Sequence, residues 1–262
     1  MYPGLIIVFS VAVIGFSSPS QVQEKLNVTD QNGLKQGHWI KKNPDGHIAY
    51  DGWFTDNKPK GTFKRFYQSD TIQSLLIYNS DGTRAAASFF HPNGFVASKG
   101  NYINQQREGK WQFYSAFTNG YLICEEEYSG NKKNGPSVKY YPNQSLSEKL
   151  SYINNVKNGV WTQFYPNGRA CLKANYTGGK LEGKFEILYD NGKPEFTGQY
   201  KNDSRDGTWF RYDRNGSLKN KINYVAGRAT NPELYTEETE YLDRLEKNKG
   251  KIADPEKTGS LW

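Results

Sequence analysis

The chain has 262 residues, a net charge of +7, 23% charged residues and 15% aromatic residues, 19 of them Tyr. Aliphatic residues are scarce, which argues against an aliphatic helical core and for strands built on tyrosine and tryptophan. The 26 Gly suit repeated turns, the length allows one or two domains, and the basic balance permits acidic partners without specifying a fold.

The N-terminus carries an apolar run, Leu5 to Phe16, followed by Ser17, Ser18 and Ser20. At 12 residues the run is short for a membrane span, which needs ~20. It reads as a signal peptide over residues 1–20, cleaved near Ser20, although no Lys or Arg precedes it; an uncleaved anchor and a buried strand are the alternatives. Cleavage implies export to the periplasm, the cell surface or the medium, with no transmembrane span left in the mature chain. Residues 21–36 form a lead-in.

From residue 37 to 228 the sequence repeats. An opening glycine recurs at Gly37, Gly61, Gly109, Gly135, Gly159, Gly183 and Gly207, with Ala85 in the third copy. Every step is 24 residues except Gly109 to Gly135, which is 26. Two places after the opener come Trp39, Phe63, Ala87, Trp111, Ser137, Trp161, Phe185 and Trp209. Near the end of each copy come Phe54, Tyr78, Tyr102, Tyr128, Tyr152, Tyr176, Tyr200 and Tyr224. A Pro-Asn-Gly segment, as at Pro166 to Gly168, marks a hairpin turn between the two halves. A fixed period of this length signals a repeat architecture.

Strand alternation sorts these positions into two faces. The Tyr column and the residues two before it, such as Leu76, Leu150, Ala174 and Ile222, form a dry face. Asn101, Asn175, Gln199 and Asn223 fall on the other, with Lys99, Lys149, Lys173 and Lys221 two residues further back. The expected fold is therefore all-β: eight hairpins, about sixteen strands, in an elongated, twisted antiparallel array of solenoid type. After Gly227 the period stops. Asn231-Pro232-Glu233 is a helix start, and Leu234, Tyr241, Leu242 and Leu245 follow helical spacing, so residues 229–262 are expected to be a capping helix and a loose tail.

The pattern Gly-x-Trp-x-x-Phe-Tyr-x-Asn-Gly…Tyr resembles the variant form of the MORN repeat. The resemblance covers Gly37 to about Gly227; the first, third and fifth copies depart from it at Lys42-Asn43, Ala87 and Ser137. It implies the hairpin array and supplies no catalytic motif. In bacteria such repeats occur in exported proteins and in a family named antitoxins.

Candidate sites are few. Trp39, Trp111, Trp161, Trp209, Tyr102, Tyr152, Tyr176, Tyr200 and Tyr224 are expected to be structural, since large aromatics dominate burial energy. Lys99, Lys149, Lys173 and Lys221 are the candidate binding face, for a protein or for an anionic membrane or envelope polymer, although a lysine row also serves simply to keep a sheet face solvated. His38, His47 and His91 lack metal-ligand spacing, and no P-loop, dinucleotide or Gly-x-Ser-x-Gly motif is present. Neither a metal nor a cofactor is expected. Export argues against nucleic acid as a partner. The reading is a non-enzymatic, exported, protein-binding scaffold. Neutralisation of a toxin, implied by the resemblance, and attachment to an anionic surface through the lysines are the alternatives.

Overall fold

The computed structural model describes residues 25–117, 120–231 and 240. They form one antiparallel sheet of 20 strands that meanders in sequence order. β1 (Val28–Thr29) lies in the lead-in. Copies one to five are β2 (Lys35–Lys42) with β3 (Ile48–Thr55), β4 (Lys58–Phe66) with β5 (Ile72–Tyr78), β6 (Arg84–Phe90) with β7 (Val96–Ile103), β8 (Gln106–Tyr114) with β9 (Leu122–Ser129), and β10 (Lys132–Tyr140) with β11 (Leu146–Ile153). In copies six and seven the first strand is broken once. They are β12 (Val156–Lys157) and β13 (Gly159–Phe164) with β14 (Ala170–Thr177), then β15 (Lys180–Leu181) and β16 (Gly183–Leu188) with β17 (Pro194–Lys201). β18 (Ser204–Tyr212) and β19 (Leu218–Val225) make copy eight, and β20 (Arg228–Ala229) follows. Every extensive strand contact is between sequence neighbours. The expected signal peptide and the expected helix after Asn231 lie outside the described residues.

Two turn types alternate. Within a copy, as at Tyr165–Gly168, the Tyr165 carbonyl accepts from Gly168 N–H at 2.8 Å, and of the Asn-Gly pair only Gly168 has positive φ. Between copies the turn is tighter. Ile153 pairs with Val156 across Asn154 (φ 50°) and Asn155 (φ 71°), the geometry of a type I′ turn, whose twist matches that of the strands. This second turn makes the array a continuous sheet rather than a stack of separate hairpins.

The opening glycine has a specific role in the ladder. Between β3 and β4, Gly52 faces Phe63 but Trp53 faces Lys60, so Gly61 and Thr62 are extra residues. Gly61 has φ 54°, a region where a side chain is strained. The same two-residue offset recurs at β7–β8, β9–β10 and β17–β18, and where β12 to β13 and β15 to β16 pass their neighbours. The exception is copy three. Ala85 replaces the glycine, and β5 pairs with β6 without interruption, from Ser74 opposite Phe89 to Tyr78 opposite Ala85.

Trp111, Trp161, Trp209, Tyr176, Tyr200 and Tyr224 are buried and Trp39, Tyr102 and Tyr152 half-buried, whereas Lys99, Lys149, Lys173 and Lys221 are exposed. Ring size is matched across strands. The Trp111 ring lies flat on Gly100, where an added Cβ would come within 2.4 Å of it, and Trp209 lies likewise on Gly198. Where the large ring is missing, its neighbour is large: Leu76 faces Ala87, and Glu126 faces Ser137. Glu126, buried at 6% exposure, accepts from Lys133 Nζ at 2.5 Å and from the Tyr128 hydroxyl at 2.7 Å. This polar pair separates two apolar clusters, one around Trp111 and one running from Leu150 to Tyr224.

Both ends of the sheet are closed by the same device. At the N-terminal edge, Asn27 N–H donates to the His38 carbonyl while its side chain accepts from Ile40 N–H. At the C-terminal edge, Thr230 N–H donates to the Asn223 carbonyl while the Asn231 side chain accepts from Asn223 N–H. A short strand and one asparagine thus occupy part of an edge that would otherwise invite pairing.

Cys124 is buried and Cys171 half-buried, and the two are not bonded to each other. Cys124 faces Phe113 and Lys139, whereas Cys171 sits in the bulge between Leu172 and Ala170 two copies later. Ellman's reagent should count two thiols in the unfolded, unreduced monomer. A count of zero would mean that the chain folds back on itself.

Candidate functional site

The sheet offers two surfaces of different chemistry. On the dry face the rings form separate runs of mostly edge-on pairs, such as Tyr200 with Trp209 at 5.2 Å and 89°. Above the rings runs a row of cations that the sequence reading missed. Each stands two residues before an opener; Arg107, Lys133, Lys157 and Arg205 lie opposite a tyrosine, and Lys35 lies opposite Thr29. Arg107 lies over Trp111 at 4.7 Å and Arg205 over Trp209 at 5.5 Å. Lys35, Lys133 and Lys157 lie over Tyr50, Tyr152 and Tyr176. Such contacts contribute roughly 0.5–2 kcal/mol each, depending on desolvation. Burial pushes the Tyr176 hydroxyl up to about 12 and draws the Lys157 amine below its usual range. The rings therefore serve the interior, and Trp111 exposes none of its surface.

A second ladder joins the turns. The hydroxyls of Tyr67, Tyr141, Tyr165 and Tyr189 donate to the carbonyls of Phe90, Phe164, Leu188 and Tyr212, in each case one copy further on.

On the polar face the lysine column is discontinuous. In chain order its position holds Asp51, Leu75, Lys99, Glu125, Lys149, Lys173, Thr197 and Lys221. Only Lys149 and Lys173 occupy adjacent copies, and Glu125, paired with Lys110 at 3.6 Å, stands between Lys99 and Lys149. The same face exposes Trp53 and Ile77 at 46% and 54% and Val160 at 67%. It is a mixed surface and not a basic stripe.

The histidines are engaged individually. His38 meets Asp51 at 2.7 Å and stacks on Trp53, His47 meets Asp70 at 3.0 Å, and His91 meets the Tyr114 carbonyl at 3.1 Å. A second enclosed ion pair is Lys139–Glu148 at 2.9 Å, where Glu148 also accepts from Trp161 Nε1 and Gln163 Nε2. Burial opposes the Glu148 carboxylate, but Lys139, Gln163 and Trp161 outweigh it and hold the group below its ordinary 4.5. A lowered carboxyl stabilises the fold above its unfolded value, and that contribution is lost as pH falls through the folded value. The thermal midpoint should therefore fall as pH drops below 4.5, with a shallower fall in Glu148→Gln. Parallel curves for the two proteins would contradict this assignment.

Three stretches, residues 157–180, 181–202 and 205–226, match the family model described as "MORN repeat variant". No curated protein matches the chain, so the antitoxin role implied by the resemblance has no relative behind it. Among solved structures, the chain is similar to one in "Crystal Structure of TcdB2-TccC3", at 13% identity and a TM-score of 0.20. That likeness covers 77% of this chain and spans 12% of the other chain's length.

Proposed function

We propose that this chain, whose copies six to eight are MORN repeat variants, is a non-enzymatic scaffold that binds another protein outside the cytoplasm. The observation that carries the reading is the uninterrupted sheet itself. Its hairpins repeat every copy while the residues on the polar face vary, and its buried rings are consumed by packing. An extended repeat surface of this kind is generally used for binding. The extracytoplasmic placement rests on the apolar run from Leu5 to Phe16, and N-terminal sequencing of the mature protein tests it.

The binding test uses the immobilised mature chain and an envelope extract. One protein should be retained saturably and displaced by soluble chain. Retention of anionic vesicles instead, abolished by raised salt, would favour attachment through Lys149 and Lys173, because exposed charge is screened. Saturable retention of neither would overturn the scaffold reading.

A further inference from the structure

The charge of the sheet is not even along its length. Strands β2 to β7 carry Lys or Arg at nine positions and a carboxylate at one, Asp51. Strands β8 to β11 carry six cations against five carboxylates. In copy four, Lys110 pairs with Glu125 on the polar face at 3.6 Å. In copies one to three the other carboxylates lie in turns. Lys60 and Lys64 have no ion-pair partner among the described residues, since Asp51, which faces Lys64 in the ladder, meets His38 Nε2 at 2.7 Å.

Among these cations the polar face is apolar. Trp53 is 46% exposed and Ile77 54%. They stand on β3 and β5, two strand spacings or about 10 Å apart. On the strand between them, Lys60 lies opposite Trp53 and Thr62 opposite Ile77. His38 stacks on one face of the Trp53 ring at 4.9 Å and 6°, so the indole is already held in place.

We propose that the polar face of copies one to three docks an acidic protein surface with an apolar side chain at its centre. The proposal rests on the scaffold reading and deepens it, by naming the face and the partner's charge. Charge selects the acid, because Lys60 and Lys64 flank the apolar centre with no carboxylate paired to them. An exposed apolar centre inside a charged rim is the anatomy of a protein interface, where Trp is a common anchor and a ring held in advance loses little entropy. A lipid surface fits less well. It would press Asp51 against acyl chains, where a carboxylate is costly, whereas a protein can bring it a donor. Single-stranded nucleic acid also fits less well, since a stacking platform needs open rings in succession, and His38 already occupies one face of Trp53.

The experiment is fluorescence anisotropy on the full chain, with a labelled twelve-residue peptide of repeated Glu-Glu-Leu-Tyr. A Gln-for-Glu peptide, a twelve-residue oligothymidylate and phosphatidylglycerol vesicles serve as comparison probes. The acidic peptide should bind saturably and the Gln peptide about tenfold or more weakly. Lys60→Gln with Lys64→Gln should weaken binding by about tenfold, and Trp53→Ala by at least as much. Lys149→Gln with Lys173→Gln removes an equal charge further along the same face and should change nothing, which separates docking from the general attraction of a +7 chain. Thermal melts check that Trp53→Ala is folded. If it is not, Ile77→Ser and the exchange of Lys60 and Lys64 decide. Equal weakening by the two lysine pairs overturns the proposal, as does oligothymidylate or the vesicles outcompeting the peptide. The envelope protein sought in the scaffold test separates the two readings. Its unchanged retention by the chain lacking Lys60 and Lys64 overturns this face and leaves the scaffold, whereas its absence overturns the scaffold.

Discussion

Gly100→Leu should destabilise the sheet by about 3 kcal/mol, and adding Trp111→Ala should restore much of that loss. The single change drives a side chain into an indole that already lies 2.4 Å from where a Cβ would be, and overpacking costs roughly 1–3 kcal/mol or more. Trp111→Ala alone empties a fully buried site and should cost about 3–5 kcal/mol. The double variant recreates, one copy later, the Leu76–Ala87 pairing that the protein already uses. Its cost should fall short of the sum of the singles by about 2 kcal/mol or more in a double-mutant cycle read from denaturant midpoints. Additive losses would mean that the cross-strand size match is incidental.

Trp161→Ala and Lys173→Ala form the second test. The two residues lie on paired strands, Trp161 opposite Ala174 and Lys173 opposite Thr162. Trp161 is 5% exposed, whereas Lys173 is on the open face. The tryptophan variant should lose about 3–5 kcal/mol, and the lysine variant should stay within about 0.5. Equal midpoints would mean that the faces are reversed.

These contrasts show what the sequence could and could not tell. The columns of Gly, Trp and Tyr were legible because a two-residue strand period superposed on a repeat period leaves little freedom in assigning faces. The cation row was missed although Lys35, Gly37 and Trp39 share one parity. Hydropathy counts Lys and Arg as solvated, but here their stems and heads lie over rings. The departures at Ala87 and Ser137 read as decay of the pattern, yet Leu76 and Glu126 offset them from the facing strand. The lysine column is broken by Asp51, Leu75, Glu125 and Thr197, which occupy its position in the other four copies. The unbroken β5–β6 pairing at Ala85 was beyond reach, because bulges appear only when the ladder's register is known.

The central claim is that the described residues form one open ribbon in which each strand pairs with those beside it in the meander. Small-angle scattering tests it most directly. The sheet has 20 strands, two pairs of which share a row, so it extends about 80 Å in the pairing direction. A rod of that length has a radius of gyration of about 24 Å, and the distance distribution should be skewed, with a long tail. A compact domain of 262 residues would give about 18 Å and a symmetric distribution. The ribbon predicts the first result, and the second would show that the sheet closes on itself.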